Sequence, residues 1–125
     1  MLRTGISSLF FVALFIGAAH AQGNCLEPYA PVIPDGATAS EEAVLAAQAQ
    51  VRAFIADSDS YQNCLGVYIR QMDEEATRKR EPVDATLRAS MIAQISANQR
   101  EKEHIGAEFN EAVRVFNAAH PDPAQ

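Results

Sequence analysis

Few residues in this chain have the type and spacing that chemistry requires. Glu101-Lys-Glu-His104 contains Glu-x-x-His, an i,i+3 arrangement that sets a carboxylate and an imidazole on one helix face, as in di-iron carboxylate bundles. Such a site also needs an inward carboxylate from a neighbouring helix. The segment that would face it reads Gln50-Val51-Arg52 and offers none. Glu101 and His104 are therefore weak candidates for a metal, and a surface histidine is the better account. Of the other two histidines, His20 lies in an apolar leader and His120 beside Pro121, where a frayed tail is expected. There is no glycine-rich phosphate loop, no Gly-x-Ser-x-Gly and no tryptophan. The sequence thus points away from an enzyme, and no cofactor is expected.

The two cysteines, Cys25 and Cys64, carry the remaining chemistry. They form no Cys-x-x-Cys pair and neither has a neighbouring histidine, so a reactive thiol finds no support. A disulfide is the simple reading for an exported chain. Export itself is indicated by the first residues. Arg3 precedes an apolar run from Leu9 to Gly17, and Ala19-His-Ala21 matches the small-x-small cleavage rule. The run falls short of the ~20 residues of a membrane span. Cleavage after Ala21 would leave 104 of the 125 residues, with no stable membrane insertion, in the periplasm or outside the cell. Losing Arg3 moves the formal net charge from −6 to −7, which argues against nucleic acid and anionic membranes as partners.

The elements that hold these residues can be read from apolar periodicity. Val44, Ala47, Val51, Phe54, Ser58, Tyr61, Leu65, Tyr68 and Met72 recur at three- and four-residue steps, which predicts a helix over about 39–78. Thr38-Ala-Ser-Glu41 has the form of a capping box at its start. Asp57-Ser-Asp-Ser60 is a run of poor helix formers, but the register is kept on both sides, so one continuous helix is expected over a break. Glu74/Arg78 and Glu75/Lys79 are i,i+4 pairs that would carry this helix to its end. A second helix over about 82–118 starts with Pro82 in its first turn, supported by Asp84/Arg88, and ends before Pro121. Folding it back with the turn near Thr77 sets Tyr61 opposite Ile95, Val51 opposite Ile105, Ala47 opposite Phe109 and Ser58 opposite Asn98. The last pair predicts a polar layer inside the hairpin.

Residues 22–37 precede the hairpin. Pro28, Pro31 and Pro34 exclude helix and favour an extended, polyproline-like strap. At ~3.1 Å per residue the strap can cover about 40 Å, which matches the ~39 Å of helix from Thr38 to Cys64. The bridge can therefore close if the strap stays nearly extended. A stripe of small residues, Ala46, Ala49, Ala53, Ala56, Ser60 and Cys64, offers it a bed, permitting close approach by an extended chain that carries Leu26, Tyr29, Val32 and Ile33. The predicted fold class is all-α: a long antiparallel two-helix hairpin with a proline-rich N-terminal strap tied to the first helix by Cys25–Cys64. The residues beyond Pro121 are expected to be a disordered tail.

The framework Cys25-x-x-Pro-x-x-Pro-x-Ile-Pro-Asp-Gly36, the Ala/Ser/Glu-rich helix and Tyr61-x-x-Cys-Leu65 together resemble a group of small exported proteins of proteobacteria. The resemblance implies the strapped helical fold and no activity. The expected function is that of a structural or interaction protein of the cell envelope, partnered by an envelope protein or by itself. A periplasmic holdase-like chaperone or stress protein, and a metal or small-ligand carrier, are the alternatives. Ile55, Ile69, Ile92 and Val113 share one side of the predicted hairpin and form a candidate interaction flank.

Overall fold

The computed structural model describes residues 25–121. The leader and its cleavage site lie outside this range, as do the tail residues after Pro121. Two helices, α1 (Glu41–Lys79) and α2 (Ala85–Ala119), pack against one another as a hairpin. Each begins on a side-chain cap. The Ser40 hydroxyl accepts from the Ala43 amide, and the Asp84 carboxylate accepts from the Leu87 amide at 2.9 Å.

These caps correct three expectations. Thr38 does not cap α1, because Asp35 gathers this segment into a turn: its carboxylate accepts from Ala37, and its carbonyl from Thr38 and Ala39. Ser40 is the first residue free to serve the helix. Likewise Pro82 precedes α2 instead of opening it. As cap, Asp84 turns its side chain to the Leu87 amide, so Arg88 pairs with Asp73 across the hairpin at 3.1 Å. The turn is closed by Arg80 in the left-handed region (φ 56°), with Glu81 N–H donating to Ala76 O, a Schellman-type end usually built on glycine. At the far end His120 is not frayed. Its amide donates to Phe116 O, and its ring stacks on Phe116 with centroids 4.4 Å apart.

The helix α1 runs unbroken through Asp57-Ser-Asp-Ser60, because each of the last three residues there has an outlet that leaves the backbone helical. Ser58 turns inward to Asn98, Asp59 pairs with Lys102 across the seam, and Ser60 donates back to the Ala56 carbonyl at 3.0 Å. The core divides into two apolar clusters, Val51/Phe54/Ile105 and Tyr61/Leu65/Met91. Between them lies the expected polar layer. Ser58 and Asn98 are 0% and 1% exposed, and Asn98 Nδ2 donates to Ser58 Oγ at 3.3 Å while Asn98 Oδ1 accepts from Gln62 at 2.8 Å. A slip by one helical turn would bury these groups against hydrocarbon without partners, so the layer sets the register.

Candidate functional site

The disulfide Cys25–Cys64 is formed, with the Cα atoms 5.6 Å apart. From it the strap runs back towards the start of α1. Its other end is seated on α2, where a Cβ added at Gly36 would overlap the Ala112 carbonyl oxygen and lie 3.0 Å from the Phe116 nitrogen. In the register set by Ser58 and Asn98, these anchor points are about 30 Å apart along the hairpin. The residues between Cys25 and Gly36 can cover that distance only if nearly extended, at about 3 Å each.

The path differs from the expected one. The strap lies in the groove between the helices, with Ala30 and Ile33 packed on Val51 and Phe54 of α1 and Ile105 of α2. Ala46, Ala49, Ala53, Ala56 and Ser60 remain exposed. A groove buries an extended chain from two sides, whereas a row of methyl groups on one helix buries it from one. The groove therefore removes more apolar surface from water.

The strap's outward face also differs. Prolines at every third position impose a three-residue period. Pro28, Pro31 and Pro34, with Ala30, Ile33 and Gly36, are half-buried or buried against the hairpin. The third ridge points away from it: Leu26, Tyr29 and Val32 are 85%, 96% and 87% exposed. The expected path laid the segment carrying these apolar side chains along the stripe of small residues. Their spacing in step with the prolines was the available signal, since a polyproline helix cannot turn all three ridges to the protein.

Beside the bridge, Cys25, Leu26, Glu27 and Pro28 of the strap form a recess with Asp57, Ser60, Tyr61 and Cys64 of α1. Leu26 forms its apolar lip, and Glu27 and Asp57 supply carboxylates. Tyr61 lies at its floor and donates to Gln94 Oε1 at 2.9 Å. Burial, and then the charge of Glu27, push the Tyr61 phenol above its ordinary pKa.

The candidate flank is on the side of the hairpin opposite the strap, but it is not one patch. Ile55 and Ile69 pack onto the two core clusters. Ile92 is exposed, and Val113 belongs to a shallow groove with Val44, Leu45, Phe109 and Phe116 at the open end. Three polar bridges cross the seam between them: Asp59–Lys102, Gln62–Gln99 and Asp73–Arg88. Glu101 and His104 are exposed on α2, and the nearest carboxylate to His104 is Glu108 on the same helix, at 3.8 Å. Among the described residues no group of three or more His, Cys, Asp or Glu could hold a metal ion, and no helix is long and apolar enough to cross a membrane. Comparison with family models, curated proteins and solved structures finds no match.

Proposed function

We propose that this chain is an exported, non-enzymatic interaction protein of the cell envelope whose hairpin is a frame for presenting the strap. One observation carries the reading: Leu26, Tyr29 and Val32 project into solvent from a segment clamped at both ends. The groove decides which ridge of the strap faces water, but folding gives no reason for that ridge to carry three large apolar side chains. A partner that buried them would gain roughly 5–8 kcal/mol of gross transfer free energy. Because bridge and groove already order the strap, little of that gain would be lost to fixing it. The bridge suits an oxidising compartment, and the leader-like N-terminus and the resemblance to small exported proteins support the same setting.

A holdase would need a large concave apolar surface; the groove between the helices is filled by the strap, which leaves the shallow recess of Val44, Leu45, Phe109, Val113 and Phe116 at the open end. The test is a pull-down from envelope extract with the oxidised protein beside a Leu26→Ser, Tyr29→Ser, Val32→Ser variant. The variant should melt with the parent, since exposed substitutions cost little, and should lose the parent's partners. Equal capture by both proteins overturns the reading.

A further inference from the structure

The charges around the ridge specify its partner more closely. Glu27 and Asp35 are on the strap itself, and Asp57 shares the recess under Leu26. At about 100° per residue, Glu101 and Glu108 fall on the side of α2 that carries Ala112, where Gly36 is seated. The cations are elsewhere. Arg88 and Lys102 are engaged by Asp73 and Asp59 across the opposite seam, and Arg114 is held by Glu111. By the same helical phase Arg52, Arg70 and Arg100 project from the outer sides of the hairpin. The ridge of Leu26, Tyr29 and Val32 thus runs through a border of carboxylates with no lysine or arginine beside it; His104, one turn from Glu101 on this side of α2, lies 3.8 Å from Glu108.

Resting on the binding reading above, we propose that the strap face docks a cationic, apolar segment of a partner protein, in which lysines or arginines alternate with apolar side chains. The apolar side chains meet the ridge and the cations meet Glu27, Asp57 and Glu101. The recess beside the bridge, with its leucine lip and two carboxylates, has the character to take the stem and head of one such lysine or arginine. Charge complementarity of this kind selects partners and speeds encounter more than it adds raw affinity. It also disfavours acidic surfaces, including a second copy of this chain presenting the same face.

The test uses labelled synthetic peptides on the oxidised protein: alternating lysine and leucine, alternating glutamate and leucine, and alternating serine and leucine. The lysine peptide should bind and weaken as salt rises, and the glutamate peptide should not bind. Glu27→Gln, Asp57→Asn, Glu101→Gln should weaken the lysine peptide about tenfold. Neutralising Glu74, Glu81 and Glu103, away from the ridge, should leave it unchanged. Equal binding of the serine and lysine peptides, still lost in the Leu26→Ser, Tyr29→Ser, Val32→Ser variant, would overturn the cationic partner and leave the binding reading intact. Ridge-dependent binding to zwitterionic vesicles in place of the peptides would assign the face to lipid and overturn the proposal. Binding of any peptide that ignores the ridge variant would sink the proposal and its basis together.

Discussion

Gly36→Ala tests the seating of the strap most directly. The glycine is not there for a left-handed conformation, since no described glycine has positive φ. It is there because the chain passes against the backbone of α2. A methyl group would overlap the Ala112 carbonyl oxygen and lie 2.9 Å from its carbon and 3.0 Å from the Phe116 nitrogen. All three are backbone atoms in a helix, so no side chain can swing aside, and the turn must lift. Lifting it draws Ile33 and Ala30 off Val51, Phe54 and Ile105. Overpacking costs about 1–3 kcal/mol, and the partial exposure of Ile33 adds to it, giving about 2–4 kcal/mol in all. For a chain of this size that lowers the melting temperature by roughly 10–20 °C. Gly106→Ala is the control. Its Cβ would meet nothing within 4 Å, and a helical glycine replaced by alanine should stabilise by about 1 kcal/mol. Far-UV circular dichroism melts of the three proteins, with the disulfide confirmed by mass, read both signs. If Gly36→Ala melts with the parent while Gly106→Ala rises, the strap is not seated on α2 as described.

Three further outcomes follow from the same contacts. Reduction, or Cys25→Ser, should lower stability by roughly 4 kcal/mol, because the bridge closes a loop with a sequence separation of 39; thermal melts with and without reductant measure this. Asn98→Ala strips the buried Ser58 hydroxyl of its partner and should cost about 2–3 kcal/mol in urea unfolding, whereas the paired change Ser58→Ala, Asn98→Leu should cost less, by removing both polar groups together. Tyr61 makes the fold sensitive to alkali. Its folded pKa is raised, so its contribution is complete below the ordinary value of 10.0 and is lost as pH rises past it, where the unfolded chain ionises first; a melting series through that range should fall for the parent and flatten for Tyr61→Phe.

The hairpin was legible because helical periodicity is a one-dimensional record of burial. Val51, Phe54, Tyr61 and Leu65 mark one seam, and Met91, Ile105 and Ala112 mark the other. The register was legible for a related reason: Ser58 and Asn98 are polar residues in apolar seams, and each could be buried only opposite the other. The cysteine pair was legible because the chain has only two cysteines and the prolines between Cys25 and Thr38 keep the strap extended enough to reach Cys64. The turn at Arg80 was not, since backbone hydrogen bonds from Arg80 to Thr77 and from Glu81 to Ala76 close the helix end on a non-glycine residue in a left-handed conformation that its own preference disfavours. Nor was the bed of the strap. Sequence shows that Ala46, Ala49 and Ala53 make one helix smooth, but a groove exists only once two helices are side by side. That groove, by covering Pro28, Pro31 and Pro34, is what turned Leu26, Tyr29 and Val32 to solvent. Hydrophobicity is a property of each residue, but which of them are left exposed depends on the surfaces that the rest of the chain brings alongside.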